Sequence, residues 1–394
     1  MSRSDVIVRL LDAAAARERE GLARRLRQIE YADGVHVVVD GRRLLNFSSN
    51  DYLGLAGHPD LLAPLKQAAD RHGVGATAAS LVCGYRSPHA RLEAALAEWT
   101  GRQRALLFGS GYAANIGVVQ ALLGAGDLCV QDRLNHASLI DGARLAGCGL
   151  RRYPHGDAQA AQRQLALCED GGALLVSDGV FSMDGDVAPL RALADAALGA
   201  QATLMVDDAH GLGVLGVDGA GSVSEAGLDA AQVPVLMATL GKALGTSGAF
   251  VAGDARFIDA LAQFARSHVY STAPPPALAA ATLAAVGIAR REHWRREHLA
   301  ALVAHFRRGA QALELPLLDS RTPIQPLLLG SAERAIAVAA ALHEAGMLVV
   351  AIRPPTVPAG RARLRITLTA GHSQADVDAL LRALARAMRD NAAC

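Results

Sequence analysis

From about residue 49 to residue 253 the chain alternates short apolar runs with helical stretches, and this alternation constrains the fold more than any other feature. The runs fall at 105–108, 128–131, 173–176, 203–206, 235–239 and 249–251, each bounded by Gly, Asp or Ser. Amphipathic patterns such as 189–198 lie between several of them. Buried strands joined by crossover helices imply a mostly parallel sheet with both faces covered. Aromatic residues make up only 4% of the chain, so Ala, Leu and Val must fill most of the core, with 39 glycines permitting close backbone approach.

Outside this stretch the pattern changes. Residues 1–30 predict an amphipathic N-terminal helix with charges throughout and no apolar leader core. A hairpin is expected at 35–39 and 44–47 around the Asp40-Gly41 turn. After Thr272-Ala-Pro-Pro-Pro276 comes an Arg- and Ala-rich helical region to about 315. Strands at 324–329, 348–352 and 363–368 follow, with helices at 332–345 and 374–388. The chain thus divides into an N-terminal helix and hairpin segment (1–48), a large domain (49–280) and a small C-terminal α/β domain (281–394).

Several function classes are excluded at this level. With 39 Lys+Arg against 38 Asp+Glu, the chain lacks the basic excess of a general nucleic-acid binder. The uncharged run 105–126 is long enough to span a membrane, but its five glycines with Ser110, Asn115 and Gln120 read as strand, turn and helix. Cys83, Cys129, Cys148, Cys168 and Cys394 form no CxxC pair, so neither a zinc site nor a disulfide framework is expected. A cytoplasmic protein is the expectation.

Four clusters carry chemistry. Gly109-Ser-Gly-Tyr-Ala-Ala114 follows a strand and opens a helix, which makes it a candidate phosphate turn, a tight turn that binds nothing being the alternative. It also fits the dinucleotide pattern GxGxxA, with Asp132 near the place of a ribose-binding acid, so an NAD-dependent oxidoreductase stays open at this point. Lys242 sits between glycines after a buried strand and is one of only two lysines, the other being Lys66. A lysine kept where arginine is otherwise used points to an amine that must lose its proton, as Schiff-base chemistry requires. Val206-Asp-Asp-Ala-His210 ends a strand where open α/β sheets bind ligands. Asp207 there suits a protonated ring nitrogen. Asp207 and His210 are also spaced for a metal, but no third ligand motif accompanies them. His136, in Asp132-Arg-Leu-Asn-His136, is a flat ring suited to covering a cofactor. Amine, acid, planar cover and phosphate turn together match the needs of pyridoxal 5′-phosphate.

The chain resembles the α-oxoamine synthase family of fold-type-I pyridoxal phosphate enzymes over nearly its whole length. The resemblance lies in Asn46-Phe-Ser-Ser-Asn-Asp-Tyr-Leu-Gly-Leu55, Gly111-Tyr-Ala-Ala-Asn115, Asp132 to Ser138, Gly179-Val-Phe-Ser-Met-Asp-Gly-Asp186, Val206 to Gly211, Gly241-Lys242, Arg353-Pro-Pro-Thr-Val-Pro-Ala-Gly360 and Arg363-Leu-Arg365. It implies a large domain with a mostly parallel sheet between helices plus the smaller domain. The implied catalytic residues are Lys242, His136 and Asp207. Gly111, Tyr112 and Thr239 are implied at the cofactor phosphate, and Ser182 and His210 near the ring hydroxyl. Ser271 and Thr272 would reach the phosphate of a neighbouring subunit, so a homodimer with shared sites is implied. Asn50 and Arg365 are implied at the substrate carboxylate, and Arg24 and Arg353 at the acyl substrate. The implied partners are L-alanine and pimeloyl-CoA or a pimeloyl-acyl carrier protein, with a glycine-using synthase such as a C-acetyltransferase as the alternative. Two segments depart from the family: Leu81 and Cys83 replace a usual polar pair, and Ala243-Leu244 replaces the commoner Gly-Phe.

Overall fold

A computed structural model describes residues 5–168 and 170–391. Cys394 and the first four residues of the expected N-terminal helix lie outside the described residues. A seven-stranded sheet forms the centre, in the order Arg104–Phe108, Ala249–Gly253, Val235–Thr239, Thr203–Asp207, Ala173–Asp178, Leu128–Asp132, Gly149–Tyr153. Every neighbouring pair is parallel except those made by Ala249–Gly253, which is antiparallel to both of its neighbours. Successive side chains of a strand point to opposite faces. Met205 accordingly enters one apolar layer with Val118, Cys129 and Met237, while Leu204 and Val206 enter another with Val130, Leu175 and Leu236. With both faces covered, the strands read as continuous apolar runs.

Gly149–Tyr153 was not among the expected strands. It is an edge strand whose Arg151 and Arg152 are exposed, so it lacks the apolar run that marks the interior ones. Charged residues on an edge discourage pairing with another chain.

The N-terminal helix is shorter than expected. It runs Val6–Arg19, capped by Asp5, and stops at Gly21 with φ 66°, so residues 22–30 are not helical. The hairpin forms between His36–Val39 and Arg42–Asn46, with Asp40 and Gly41 both at positive φ, as a two-residue type I′ turn requires. The expected strand at 348–352 splits. Met347–Leu348 pairs in parallel with Arg42–Asn46, and Val350–Ile352 pairs with Ala362–Thr367. The C-terminal part thereby completes the sheet begun by the N-terminal hairpin. Phe47 and His372 stack at 4.4 Å across the same seam, and burial lowers the His372 pKa to about 4. The expected helical region to 315 consists of Pro276–Arg291 and His293–Ala312, broken at Glu292.

Candidate active site

The carboxyl ends of four strands open onto one cavity of about 190 Å³. Its lining includes Gly111, Asn115, His136, Asp178, Asp207, His210 and Lys242. Tyr112, Ser182 and Thr239 complete the set of expected cofactor residues found there. Each arrives from a different crossover, so proximity follows from the parallel topology rather than from sequence spacing.

Among the described residues Lys242 is the only amine in the lining. Burial lowers its pKa to about 8, Asp207 partly opposes that shift, and Arg365 adds to it. Its Nζ lies 2.7 Å from His210 Nε2. The other ring nitrogen of His210, Nδ1, lies 2.6 Å from the Tyr52 hydroxyl, which reaches Asn50 Oδ1 at 3.3 Å. An ammonium at Lys242 donates to Nε2, the Nδ1–H donates to Tyr52, and Tyr52 donates onward to Asn50. Every donor in this chain then meets an acceptor with a neutral imidazole. Burial and the neighbouring Lys242 hold the His210 pKa well below its usual value, in keeping with that assignment.

Asp207 is 4% exposed. Its Oδ2 accepts from Asn115 Nδ2 at 2.7 Å and its Oδ1 from the Ala209 N–H at 3.0 Å. Both oxygens of this buried carboxylate thus have a hydrogen-bond donor. Asn115 also donates to Ser138 Oγ at 2.9 Å, and Ser138 contacts His136 Nδ1 at 2.7 Å, so one hydrogen-bonded chain orients both the acid and the imidazole. Asp178 occupies the register position beside Asp207 on the adjacent strand. Burial and Asp207 both raise its pKa, and its carboxylate has one long donor, the His136 N–H at 3.3 Å.

Arg365 is 8% exposed and bears no carboxylate partner among the described residues. Its guanidinium donates to Ser182 O at 2.6 Å, to Asn50 Oδ1 at 3.1 Å and to Thr367 Oγ1 at 3.0 Å. A buried guanidinium held only by neutral oxygens is suited to an anion. Two residues away, Arg363 is paired with Asp184 at 2.7 Å, so the two arginines tie one strand to the 182–184 loop.

The phosphate turn is the first turn of the helix Gly111–Leu122. Ser110 caps it by accepting from the Ala113 N–H, leaving the Gly111 and Tyr112 amides at the open end. The Tyr112 hydroxyl bonds to Asp141. Thr239 Oγ1 donates to Gly248 O at 3.0 Å and accepts from the Gly241 N–H. The residues present fit pyridoxal phosphate: an amine with lowered pKa, a buried hydrogen-bonded carboxylate in the same lining, a ring on one side and helix amides at the mouth.

The dinucleotide reading does not survive the topology. A strand that carries such a turn must lie beside the next parallel strand of its unit. Here Arg104–Phe108 is at the far edge of the sheet, with four strands between it and Leu128–Asp132. Asp132 is also engaged, accepting from the Leu134 and Gly156 N–H groups and from His155. Among the described residues no group of three or more His, Cys, Asp or Glu side chains is placed to hold a metal.

Other expected residues lie elsewhere. Ser271 and Thr272 are exposed and absent from the lining; Thr272 bridges to Ala79 instead. Arg24 and Arg353 do meet, but in a separate open groove of about 680 Å³. Arg24 donates to Thr356 Oγ1 at 2.8 Å, and Arg353 to the carbonyls of Gly21 and Ala23. Leu81 and Cys83 are exposed on a single π-helical turn, Ser80–Gly84, outside the cavity. Asp208 turns away from the cavity into the core. Burial raises its pKa to about 6 while Ser222 donates to both of its oxygens, at 2.6 and 2.8 Å. The sequence reading missed Asp178, Asn115 and Tyr52. Tyr52 and Asn115 stand inside the recognised motifs and Asp178 directly precedes one, and only the pairing of strands and helices reveals what they touch.

Fold and site together define a pyridoxal phosphate-dependent transferase of fold type I. Residues 42–384 match the aminotransferase class I and II family, and the chain belongs to that family. The chain is 56% identical, over 97% of its length and 96% of the relative's, to the 8-amino-7-oxononanoate synthase of Pseudomonas putida strain GB-1. It is similar to the 8-amino-7-oxononanoate synthase structure of Francisella tularensis, with 28% identity, a TM-score of 0.78 and coverage of 88% of this chain and 98% of that one. It is also similar to serine palmitoyltransferase of S. paucimobilis solved with PLP and myriocin bound, with 26% identity, a TM-score of 0.94 and coverage of 99% and 100%.

Proposed function

We propose that the site joins L-alanine to a pimeloyl thioester with loss of CO2, giving 8-amino-7-oxononanoate for biotin biosynthesis. The observation that carries the substrate reading is Arg365: a buried guanidinium without an acidic partner, linked through Asn50, Tyr52 and His210 to Lys242. Pyridoxal phosphate, when bound, supplies a sink for the electrons released at the amino-acid Cα. Lys242 holds the cofactor aldehyde and, once freed, takes the Cα proton at Nζ, a task matched to an amine whose pKa lies near 8. Asp207 keeps a proton on the ring nitrogen. His136 covers the ring, and His210 and Ser182 stand at its hydroxyl. Gly111 and Tyr112 hold the phosphate, with Thr239 assisting after its hydroxyl turns from Gly248. Arg365 and Asn50 orient the substrate carboxylate.

Ser271 and Thr272, exposed here, complete the phosphate site of a second copy in a homodimer. Arg24 and Arg353 receive the acyl donor. Val350, in their groove, is paired in register with Arg365, which supports this reading. The experiment is to offer L-alanine and glycine to the purified enzyme with pimeloyl-CoA, a pimeloyl-acyl carrier protein and acetyl-CoA. L-alanine with a pimeloyl thioester is expected to be turned over fastest, and faster turnover of glycine with acetyl-CoA would overturn the assignment.

A further inference from the structure

His155 follows the edge strand Gly149–Tyr153 and lies outside the cavity lining, yet it is the most fully engaged histidine beside the site. Its Nδ1 is 3.1 Å from Asp132 Oδ1 and its Nε2 is 2.8 Å from Asp186 Oδ2. A neutral imidazole has a single N–H, whereas an ionised carboxylate only accepts. With both ring nitrogens against carboxylate oxygens, a neutral ring would set one lone pair against another. The arrangement is satisfied only by the imidazolium. Its edge rests on Phe181, ring centroids 4.4 Å apart and planes at 90°.

The two carboxylates belong to the two loops that deliver cofactor-facing residues. Asp132 is 1% exposed and also accepts from the Leu134 N–H, at the start of the turn that ends in His136. Asp186 closes the loop that carries Ser182: the Phe181 N–H donates to Asp186 O at 3.0 Å, and Val180 bridges Val187. The opposite side of that loop is held by Arg363 and Arg365. We propose that His155 is a positioning residue: an imidazolium tie between Asp132 and Asp186 that sets the distance between the His136 turn and the Ser182 loop across the cofactor. Burial lowers its pKa but the two carboxylates outweigh that and raise it to about 10, so the tie persists through neutral pH. Beyond Asp132 and Asp186, the titratable groups that interact with this cluster through Asp132 are Arg152 and Tyr153 of the edge strand and Asp178 of the neighbouring strand.

The inference rests on the proposed reading only for its turnover measurement. His155→Gln and His155→Arg are compared with the wild type in three ways. Pyridoxal phosphate is titrated into the cofactor-free chain, kcat and KM are measured for L-alanine, and the ring nitrogens of wild-type His155 are observed by 15N NMR at pH 8. The glutamine variant is expected to raise the cofactor Kd about tenfold and lower kcat about tenfold, with KM within about twofold, a charged hydrogen bond having been lost. Arginine, which can donate to both carboxylates, is expected to restore both quantities to within about threefold. Both ring nitrogens should carry protons. A glutamine variant within about twofold of wild type in Kd and kcat, a lowered melting temperature with unchanged Kd, or a bare ring nitrogen at pH 8 would each overturn the proposal. If the glutamine variant does not fold, Asp186→Asn is read by the same criteria. Cofactor Kd and the NMR signal involve neither alanine nor thioester, so they decide the inference even if the proposed reaction fails.

Discussion

The cavity around Lys242 and the groove around Arg24 and Arg353 are built on opposite plans. At and beside the cavity, Asp207, His210 and Arg365 are each under 9% exposed and are hydrogen-bonded to Ala209, Tyr52 and Ser182 respectively. In the groove, Arg24 is exposed, and both arginines bond only to a hydroxyl or to main-chain carbonyls of an irregular segment. Groups in a dry, rigid site act with little rearrangement, whereas exposed cations are screened and adaptable. Chemistry is thus placed on the sheet, and under the proposed function contact with the acyl donor is left to the loops.

That contrast can be broken most sharply at Lys242. Lys242→Ala should lower turnover by at least about a thousandfold. Thermal melting should show no loss of stability, because a buried amine is removed along with its desolvation cost. A large fall in melting temperature would mean that Lys242 is structural. Arg365→Ala should come next, raising the KM for L-alanine by about 10- to 100-fold, since the charged contact is made in a desolvated place. Unchanged KM would detach Arg365 from the substrate.

The pH dependence tests the same contrast through its cause. In the cofactor-free chain, modification of Lys242 by an amine reagent should turn on with a midpoint near pH 8. The sign for His155 is that of any group whose pKa rises on folding. Its folded pKa, about 10, exceeds the ordinary 6.5, so its contribution to stability is complete below 6.5 and fades as the pH climbs through 10. Urea melts of wild type and His155→Gln should therefore converge with rising pH. The smallest effect belongs to the groove: Arg353→Ala should raise the KM for the thioester by only about two- to fivefold, and less at high salt.

The same two regions divide what the sequence made legible. Lys242, Asp207 and His136 stood out because their residue types are costly or unusual at strand ends, and strand ends are visible as apolar runs. Asp178 was hidden because its partner, Asp207, is 29 residues away and adjacent only through strand register. Asn115 and Tyr52 looked like ordinary helix and loop residues until the topology set them against Asp207 and His210. The Arg-rich strand Gly149–Tyr153 escaped because an edge strand need not be apolar. The antiparallel insertion of Ala249–Gly253 was equally invisible, since apolarity does not encode direction. That insertion also decides between the two readings of the glycine turn, by removing Arg104–Phe108 from the neighbourhood a dinucleotide site needs.

Asp208 carries one more consequence. It is sealed behind glycines: a Cβ at Gly179 would come within 2.6 Å of its Oδ1, one at Gly211 within 2.1 Å, and one at Gly221, where φ is +103°, within 1.9 Å of its Oδ2. Any side chain at these three places must displace a fully buried carboxylate directly beside Asp207. In a saturation mutagenesis screen, Gly179, Gly211 and Gly221 should therefore appear as intolerant as Lys242, and a map of intolerant positions would draw the active site one layer wider than the atoms that meet a reactant.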